Sequence, residues 1–432
     1  MKLTYGSLLK IVLLTSIAYY CGFLFFALRL VESGSLSHGT ELMESNASGS
    51  SIKQVIGLIL FGISGVLVVR LGKYRLFFIL KENLAWMLLI GYLAFSISWS
   101  VEPTISMRRI IGLLTVIFTC LALCLYFQPS TLLILIADAI VLAACIGLVL
   151  FVVNPTMATA YFSDRGLSFV GMFFDKNAGA RAYAYAFIIL VSLNQRVTKV
   201  YLCKLAILGG CLIFAKSASA AILLLGGLGI VFLLKNMQSS EPKKNLKHSV
   251  IFCLILGTGA LLASWLYPYV LELFGRDANL TNRTIIWELL SIEIAEKPVY
   301  GYGFGAFWAS TAVNDFVERW GFIGNAHSGY YEMLLNGGFI GLCLLCFLML
   351  VVLVQAFSLY NKGNSVGTAI VVIALLQYLA NYVGYVFLNY NNFDMFLFCL
   401  LAFSPIAIKL YGEEETAEDN NYKSTPHLNP VS

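Results

Sequence analysis

Residues 327–357 read HSGYYEMLLNGGFIGLCLLCFLMLVVLVQAF. A histidine and a serine close a long polar loop, and the apolar run behind them is long enough to cross a bilayer, which takes about 20 residues. Gly338 and Gly341 complete the pattern His-Ser-x9-Gly-x-x-Gly. The loop ahead of it carries Arg276, Arg283, Lys297 and Arg319. A titratable imidazole beside fixed cations at a membrane edge suits group transfer on a lipid-linked anionic substrate.

The rest of the chain sets the solvent. Of 432 residues, 59% are hydrophobic and 12% charged, against about 25% charged in a soluble domain. The composition therefore implies an all-α polytopic membrane protein. The net charge of +5 says little, because charge is sorted by side of the bilayer. The run from Leu8 to Leu30 exceeds a signal-peptide core and lacks a small-x-small site before Glu32, so it reads as the first span. About twelve apolar segments follow this rule: 8–30, 53–70, 77–99, 107–127, 131–153, 178–193, 199–215, 218–234, 249–269, 329–357, 366–388 and 393–410. Lys81 and Glu82 push the true start of the third towards Leu84, and only Lys216-Ser-Ala-Ser parts the seventh from the eighth.

Cations in short loops set the expected orientation. Arg70, Lys73 and Arg75, then Arg196, Lys199 and Lys204, then Lys235, Lys243, Lys244 and Lys247, then Lys362, fall on one side with Lys2 and Lys10. That side is read as cytoplasmic, with both termini on it. The predicted organisation is nine spans over 1–269, a large outer loop over 270–328, three spans over 329–410 and a disordered acidic tail over 411–432. Within the loop, 282–296 has helical spacing with Asn282 as cap and Pro298 as stop, and Gly301-Tyr-Gly303-Phe-Gly305 reads as a flexible turn.

Several outer-side residues are candidates. His327 is a general base, and Arg283, at the start of the loop helix, a fork for diphosphate oxygens. Arg108 and Arg109 open the fourth span; Arg165, Lys176, Arg181 and Lys216 sit in or beside outer loops. Each suits an anion, and each also suits a headgroup or solvent. Glu332 lies about 140° round an ideal helix from His327 and meets it only if the helix starts later and the chain bends. Asp138 and Asp394 lie within or near spans, where carboxylates are costly. The tryptophans and tyrosines of the loop read as interfacial belt residues. Cys120, Cys124, Cys145, Cys211, Cys253 and Cys399 read as small buried hydrophobes, and Cys343-Leu-Leu-Cys346 as packing, without metal. No Walker loop, D-x-D or H-E-x-x-H occurs. A donor must then arrive already activated, with arginines neutralising its leaving group and no cofactor.

Taken in order, Trp99-Ser-Val-Glu-Pro103 with Ser106 and Arg108, Arg165-Gly166 with Gly171 and Lys176-Asn177, Arg283 with Trp287, Pro298, Gly301 and Gly303, and the His327-Ser328 pattern resemble the O-antigen ligase family. That family also contains Wzy-type polysaccharide polymerases and exopolysaccharide-production proteins. The resemblance covers most of the chain. It implies a GT-C-like glycosyltransferase of the bacterial inner membrane, its large loop periplasmic, that moves glycan from undecaprenyl diphosphate to an acceptor without a metal, with His327 catalytic and Arg283 on the diphosphate. The implied partners are the lipid-linked glycan, membrane lipid and other polysaccharide-assembly proteins, with no nucleic acid. Ligases in the family often carry an arginine where this chain has Lys216. The Trp-Ser-x-x-Pro and Lys-Asn elements lean towards the exopolysaccharide branch, hence polymerase ahead of ligase. The rival from another class is a flippase for the same anionic lipid, which would line several span interiors with charge.

Overall fold

The structure, a computed structural model, describes residues 5–23, 26, 51–72, 76–162, 166–173, 176–193, 196–239, 241, 243–252, 254, 255, 257, 258, 283–310, 313, 324–384, 387–390 and 392–424. Its main helices are α1 (Tyr5–Tyr20), α2 (Ser51–Gly72), α3 (Leu76–Glu82), α4 (Leu84–Phe95), α5 (Pro103–Tyr126), α6 (Pro129–Val153), α7 (Lys176–Ser192), α8 (Lys199–Ala215), α9 (Ala218–Met237), α10 (Arg283–Glu296), α11 (Gly329–Asn361), α12 (Ser365–Tyr382) and α13 (Phe393–Ser424). One small antiparallel hairpin departs from the all-helical expectation: β1 (Thr159–Phe162) pairs with β2 (Gly166–Phe169), Ala160 opposite Ser168.

Seven of the described helices (α2, α5, α6, α9, α11, α12 and α13) are long and apolar enough to cross a membrane, so the chain is a polytopic membrane protein. α1, α4, α7 and α8 coincide with other expected spans but are shorter, and the expected span 249–269 lies mostly outside the described residues. The third segment is broken at Asn83, whose side-chain amide donates to the Ile79 carbonyl at 2.7 Å. Proline fills the first turn of α5 and α6, where its missing N–H costs nothing. The disputed boundary between α8 and α9 is a two-residue turn. Lys216 closes α8 in a left-handed conformation and Ser217 caps α9.

α7 is the hub, packed against α6, α8, α9, α12 and α13. Its alternating alanines explain this: Ala180, Ala182, Ala184 and Ala186 are all buried, and small side chains let helix backbones approach closely. A Cβ on Gly227 of α9 would lie 2.5 Å from Ile188 of α7. Cys120, Cys124, Cys211 and Cys399 are buried, as expected, and Cys145 is half-buried. Cys253 lies outside the described residues, while Cys343 and Cys346 are exposed on α11. Asp138 of α6 is ion-paired with Lys204 of α8 at 2.6 Å, which answers the cost of a carboxylate within a span.

α11 is one long helix by hydrogen bonding but breaks at Gly338, which stands at φ 60°, ψ −159°. The break explains the first glycine of the sequence pattern. A Cβ there would lie 2.3 Å from the Val299 carbonyl carbon, and a positive φ excludes most side chains. Backbone groups freed by the break are taken up by residues 298–302. Phe339 N–H donates to Pro298 O at 2.8 Å, Ile340 N–H to Val299 O at 3.3 Å, and Tyr302 N–H to Leu335 O at 2.7 Å. Irregular backbone at such depth survives only when protein satisfies it this way. Gly301, Gly303 and Gly305 are therefore no flexible turn. They have φ of 67°, 97° and 70°, and their Cβ positions are filled by Leu335 O, Ser100 and Arg109 respectively. At the other terminus α13 continues to Ser424, through the first part of the segment whose composition reads as disordered. Residues 412–424 contain no proline or glycine after Gly412 to stop the helix.

Candidate active site at the end of α12

The C-terminal end of α12 is where the candidates meet. Ser328 N-caps α11 from φ −150°, ψ 124°, and His327 before it is left-handed at φ 50°. The chain bends at the histidine, and the helix starts after it. Gly329 N–H donates to Gly384 O at 3.0 Å. Gly329 has no alternative here, since a Cβ would fall 1.8 Å from the Asn381 side-chain oxygen. Arg283, the first residue of α10, donates from Nη1 to the Val383 carbonyl. One turn later on the same face, Trp287 donates from its indole to the Ala326 carbonyl at 2.9 Å. Its ring stacks on Tyr331 at 5.3 Å and meets Tyr382 at 5.3 Å. So α10 touches the peptide just before His327 and the residue just after α12. His327 and Arg283 are both half-buried.

A small second core fixes this arrangement. Leu290, Tyr302, Phe307, Trp308, Val313, Ala326 and Leu335 pack together beside Ile286, Leu289 and Ile294. The apolar face expected for 282–296 is thus real but only partly used: Leu290 is buried, while Ile285 and Ile292 are exposed. The proposed cap, Asn282, lies outside the described residues. Tyr302 reaches back to α10. Its hydroxyl donates to Glu293 O at 3.0 Å, with the Glu293 and Glu296 carboxylates each at 3.3 Å. Burial first, then those two negative charges, hold its phenol well above the ordinary tyrosine range.

Glu332 is buried under the His327 turn. The Trp308 indole donates to its two carboxylate oxygens at 3.1 Å each, and the Ala326 N–H donates to Oε2 at 2.9 Å. The helical-wheel reading placed Glu332 off the face of His327, and the bend supplies the geometry in which it matters. It holds the backbone before the histidine. Arg109 acts on it electrostatically and runs under Gly305, where a Cβ would lie 2.1 Å from the arginine Cδ. Arg108, its neighbour on α5, is half-buried.

Arg181 of α7 is brought to the same end. It forks onto Asp394 of α13, with Nε to Oδ1 at 3.1 Å and Nη2 to Oδ2 at 2.8 Å. Its Nη1 would be 3.9 Å from a Cβ on Gly384. Asp394 is buried at 1% exposure, an ion-paired residue and not a merely interfacial one. Lys176 is buried at the start of α7. Lys216 is exposed, but the turn it belongs to reaches α7 through Ser217 Oγ donating to Asn177 Oδ1 at 3.0 Å. Arg165, Arg276 and Arg319 lie outside the described residues. Sequence reasoning missed Trp308, Asn336, Val383 and Gly384. Asn336 accepts from the Gly305 N–H at 2.7 Å, a contact across 31 residues that no local pattern announces.

The fold and the site define a polytopic membrane protein in which a loop helix carrying Arg283 docks beside His327, at the start of α11 and the end of α12. Residues 204–346 match the Wzy_C family model, described as O-antigen ligase. This match supports a place for the chain in the O-antigen ligase and Wzy-type family. It takes in Lys216, Arg283, His327, Glu332, Gly338 and Gly341; Arg108, Arg109, Arg165, Lys176 and Arg181 fall before it. No curated protein matches the chain.

Proposed function

We propose that the protein is a membrane glycosyltransferase. It moves glycan from undecaprenyl diphosphate to a sugar hydroxyl on the periplasmic face, extending lipid-linked repeat units of an O-antigen or exopolysaccharide. The observation that carries this reading is that one helix face holds both ends of the chemistry. Arg283 and Trp287 are a turn apart on α10, and Trp287 is bonded to the peptide preceding His327. In the proposed reaction the acceptor oxygen attacks the anomeric carbon and its proton passes to His327. The bond between that carbon and the diphosphate oxygen breaks, and the electron pair leaves with the diphosphate. Arg283 meets the departing charge with a planar fork, and Arg181 lies near Gly384. Arg108, Arg165, Lys176 and Lys216 are proposed as further contacts to the glycan or diphosphate, and the termini as cytoplasmic.

The test uses purified protein in lipid with a lipid-linked repeat unit, read as glycan length on gels. New glycosidic bonds are expected from wild type, and far fewer from Arg283→Lys, which keeps the charge but loses the fork. Undiminished polymer from a folded Arg283→Ala protein would remove the diphosphate role. Movement of the lipid across the bilayer with no bond formed would establish the flippase. Transfer to lipid A-core in preference to a second repeat unit would make it a ligase, the activity named by the matched family.

A further inference from the structure

The peptide that precedes His327 is gripped at both of its neighbouring polar groups. The Ala326 N–H is held by Glu332 at 2.9 Å, and the Ala326 carbonyl by Trp287 at 2.9 Å. The His327 N–H itself donates to Asn325 Oδ1 at 2.9 Å. A non-glycine residue at φ 50° is uncommon backbone and persists only where its surroundings over-determine it. Among the described residues Glu332 is the charged member of this grip. Its carboxylate is buried, and both oxygens face donors of the protein's own, Trp308 and Ala326. A buried carboxylate so occupied is turned towards the protein, and the half-buried Arg109 side chain packs under Gly305.

We infer that Glu332 is a positioning residue for His327, with Arg109 as its internal counter-charge, and that neither contacts the substrate. Glu332 fixes the left-handed turn that aims the imidazole. Arg109 offsets the burial of the negative charge and carries the strap whose Gly305 N–H is held by Asn336. This reassigns two residues that their sequence positions place among the substrate-binding cations and acids. It rests on the transferase reading and on His327 being its base.

The experiment measures kcat and donor KM for Glu332→Gln, Glu332→Ala, Arg109→Met and the Arg109→Met/Glu332→Met double variant in lipid. Glutamine keeps one acceptor for two donors, so Glu332→Gln should lose about tenfold in kcat, and Glu332→Ala about a hundredfold. Donor KM should stay within about twofold in both. The double variant should be about as slow as Glu332→Ala, because without the carboxylate its counter-charge has nothing left to offset. A purely structural role would lower the fraction of folded protein and its thermal midpoint without lowering kcat per folded molecule. Wild-type kcat in folded Glu332→Gln overturns the inference, as does a raised donor KM in Arg109→Met with kcat intact. His327→Ala separates the two levels. If it is as active as wild type, the proposed chemistry fails. If it keeps a small residual rate that adding Glu332→Gln lowers no further, Glu332 acts through the histidine. If it is inert and Glu332→Gln alone is fully active, only the positioning role falls.

Discussion

The two ends of the helix bundle satisfy their polar groups in opposite ways. At the Lys235 end, side chains finish helices and then stop. Asn245 donates to the Ser239 and Asn361 carbonyls at 2.7 and 3.1 Å and accepts from the Ser239 N–H at 2.6 Å. Ser249 donates to the Asn361 side chain at 2.9 Å, Tyr360 to the Leu234 carbonyl at 2.9 Å, and Lys235 to the Val191 carbonyl at 2.8 Å. Each bond closes a helix end against its neighbour, as buried backbone demands. At the His327 end the buried bonds serve a different purpose. Glu332, Trp308, Asn336 and the 298–302 backbone build a rigid support, and on it stand His327 and Arg283, both half-exposed. The left-handed turn at His327 is uncommon backbone that its surroundings must hold in place, and Glu332 and Trp287 grip the residue before it. A half-exposed imidazole and guanidinium held on a hydrogen-bonded support mark the working end.

The sharpest way to break this contrast is to remove one group at each end. His327→Ala should cut transfer about a hundredfold to ten-thousandfold, the range for loss of a general base. Its thermal midpoint in detergent should stay within a few degrees of wild type. The counterpart at the other end is Asn245→Ala, taken up below. If His327→Ala polymerises normally, the His327 end is only another closed helix terminus.

The next effect is on the support. Gly338→Ala forces a side chain onto φ 60° and into the Val299 carbonyl. Such strain costs about 1–3 kcal/mol before the steric term, so the variant should unfold earlier and give less active protein. Gly341→Ala meets the flexible end of Met333 at 2.5 Å and the edge of the Tyr92 ring at 3.3 Å, and should be milder. Equal losses at the two positions would mean that the break in α11 is not what the motif protects.

Much of the frame was legible because it rests on local signals. The start of α4 at Leu84 follows from Lys81 and Glu82, the α8–α9 boundary from Lys216-Ser217, and α10 from the apolar spacing of 283–296. The site was legible as composition and not as geometry. His327 and Arg283 stand out as polar groups beside apolar runs, but nothing near either names Val383 or Gly384 as the place they meet. Glu332 was placed by an ideal helical wheel, and a single positive φ at His327 undid the wheel. The Gly301–Gly305 strap read as flexible because glycine in isolation is flexible. Here every Cβ position is already filled by residues distant in the sequence: Leu335, Ser100 and Arg109. Cys343 and Cys346 show the converse: an apolar run hides which of its faces points outward.

Asn245→Ala should cost stability and spare chemistry. It removes three hydrogen bonds at a buried site and strands their backbone partners, a loss of about 1–3 kcal/mol. Transfer per folded molecule should be unchanged. A fall in kcat at equal folded protein would show the Lys235 end coupled to the reaction and dissolve the division drawn between the two.

The smallest effect concerns Tyr302, which ties the strap to α10. Its phenol is raised above the ordinary value by burial and by Glu293 and Glu296, so the sign of the pH dependence is fixed. The unfolded chain releases this proton near pH 10 and the folded one only at higher pH. Its contribution is therefore complete below about pH 10 and is lost as pH rises from there towards the folded value. Tyr302→Phe should cost about 1 kcal/mol at neutral pH by losing the bond to Glu293. Its deficit against wild type should shrink between about pH 10 and 11, because only wild type has this phenol to ionise on unfolding. Thermal midpoints of the two proteins at pH 8 and 11 measure it. A deficit that widens with pH would mean that the phenol ionises more readily in the folded protein, and that the two carboxylates do not face it as the structure has them.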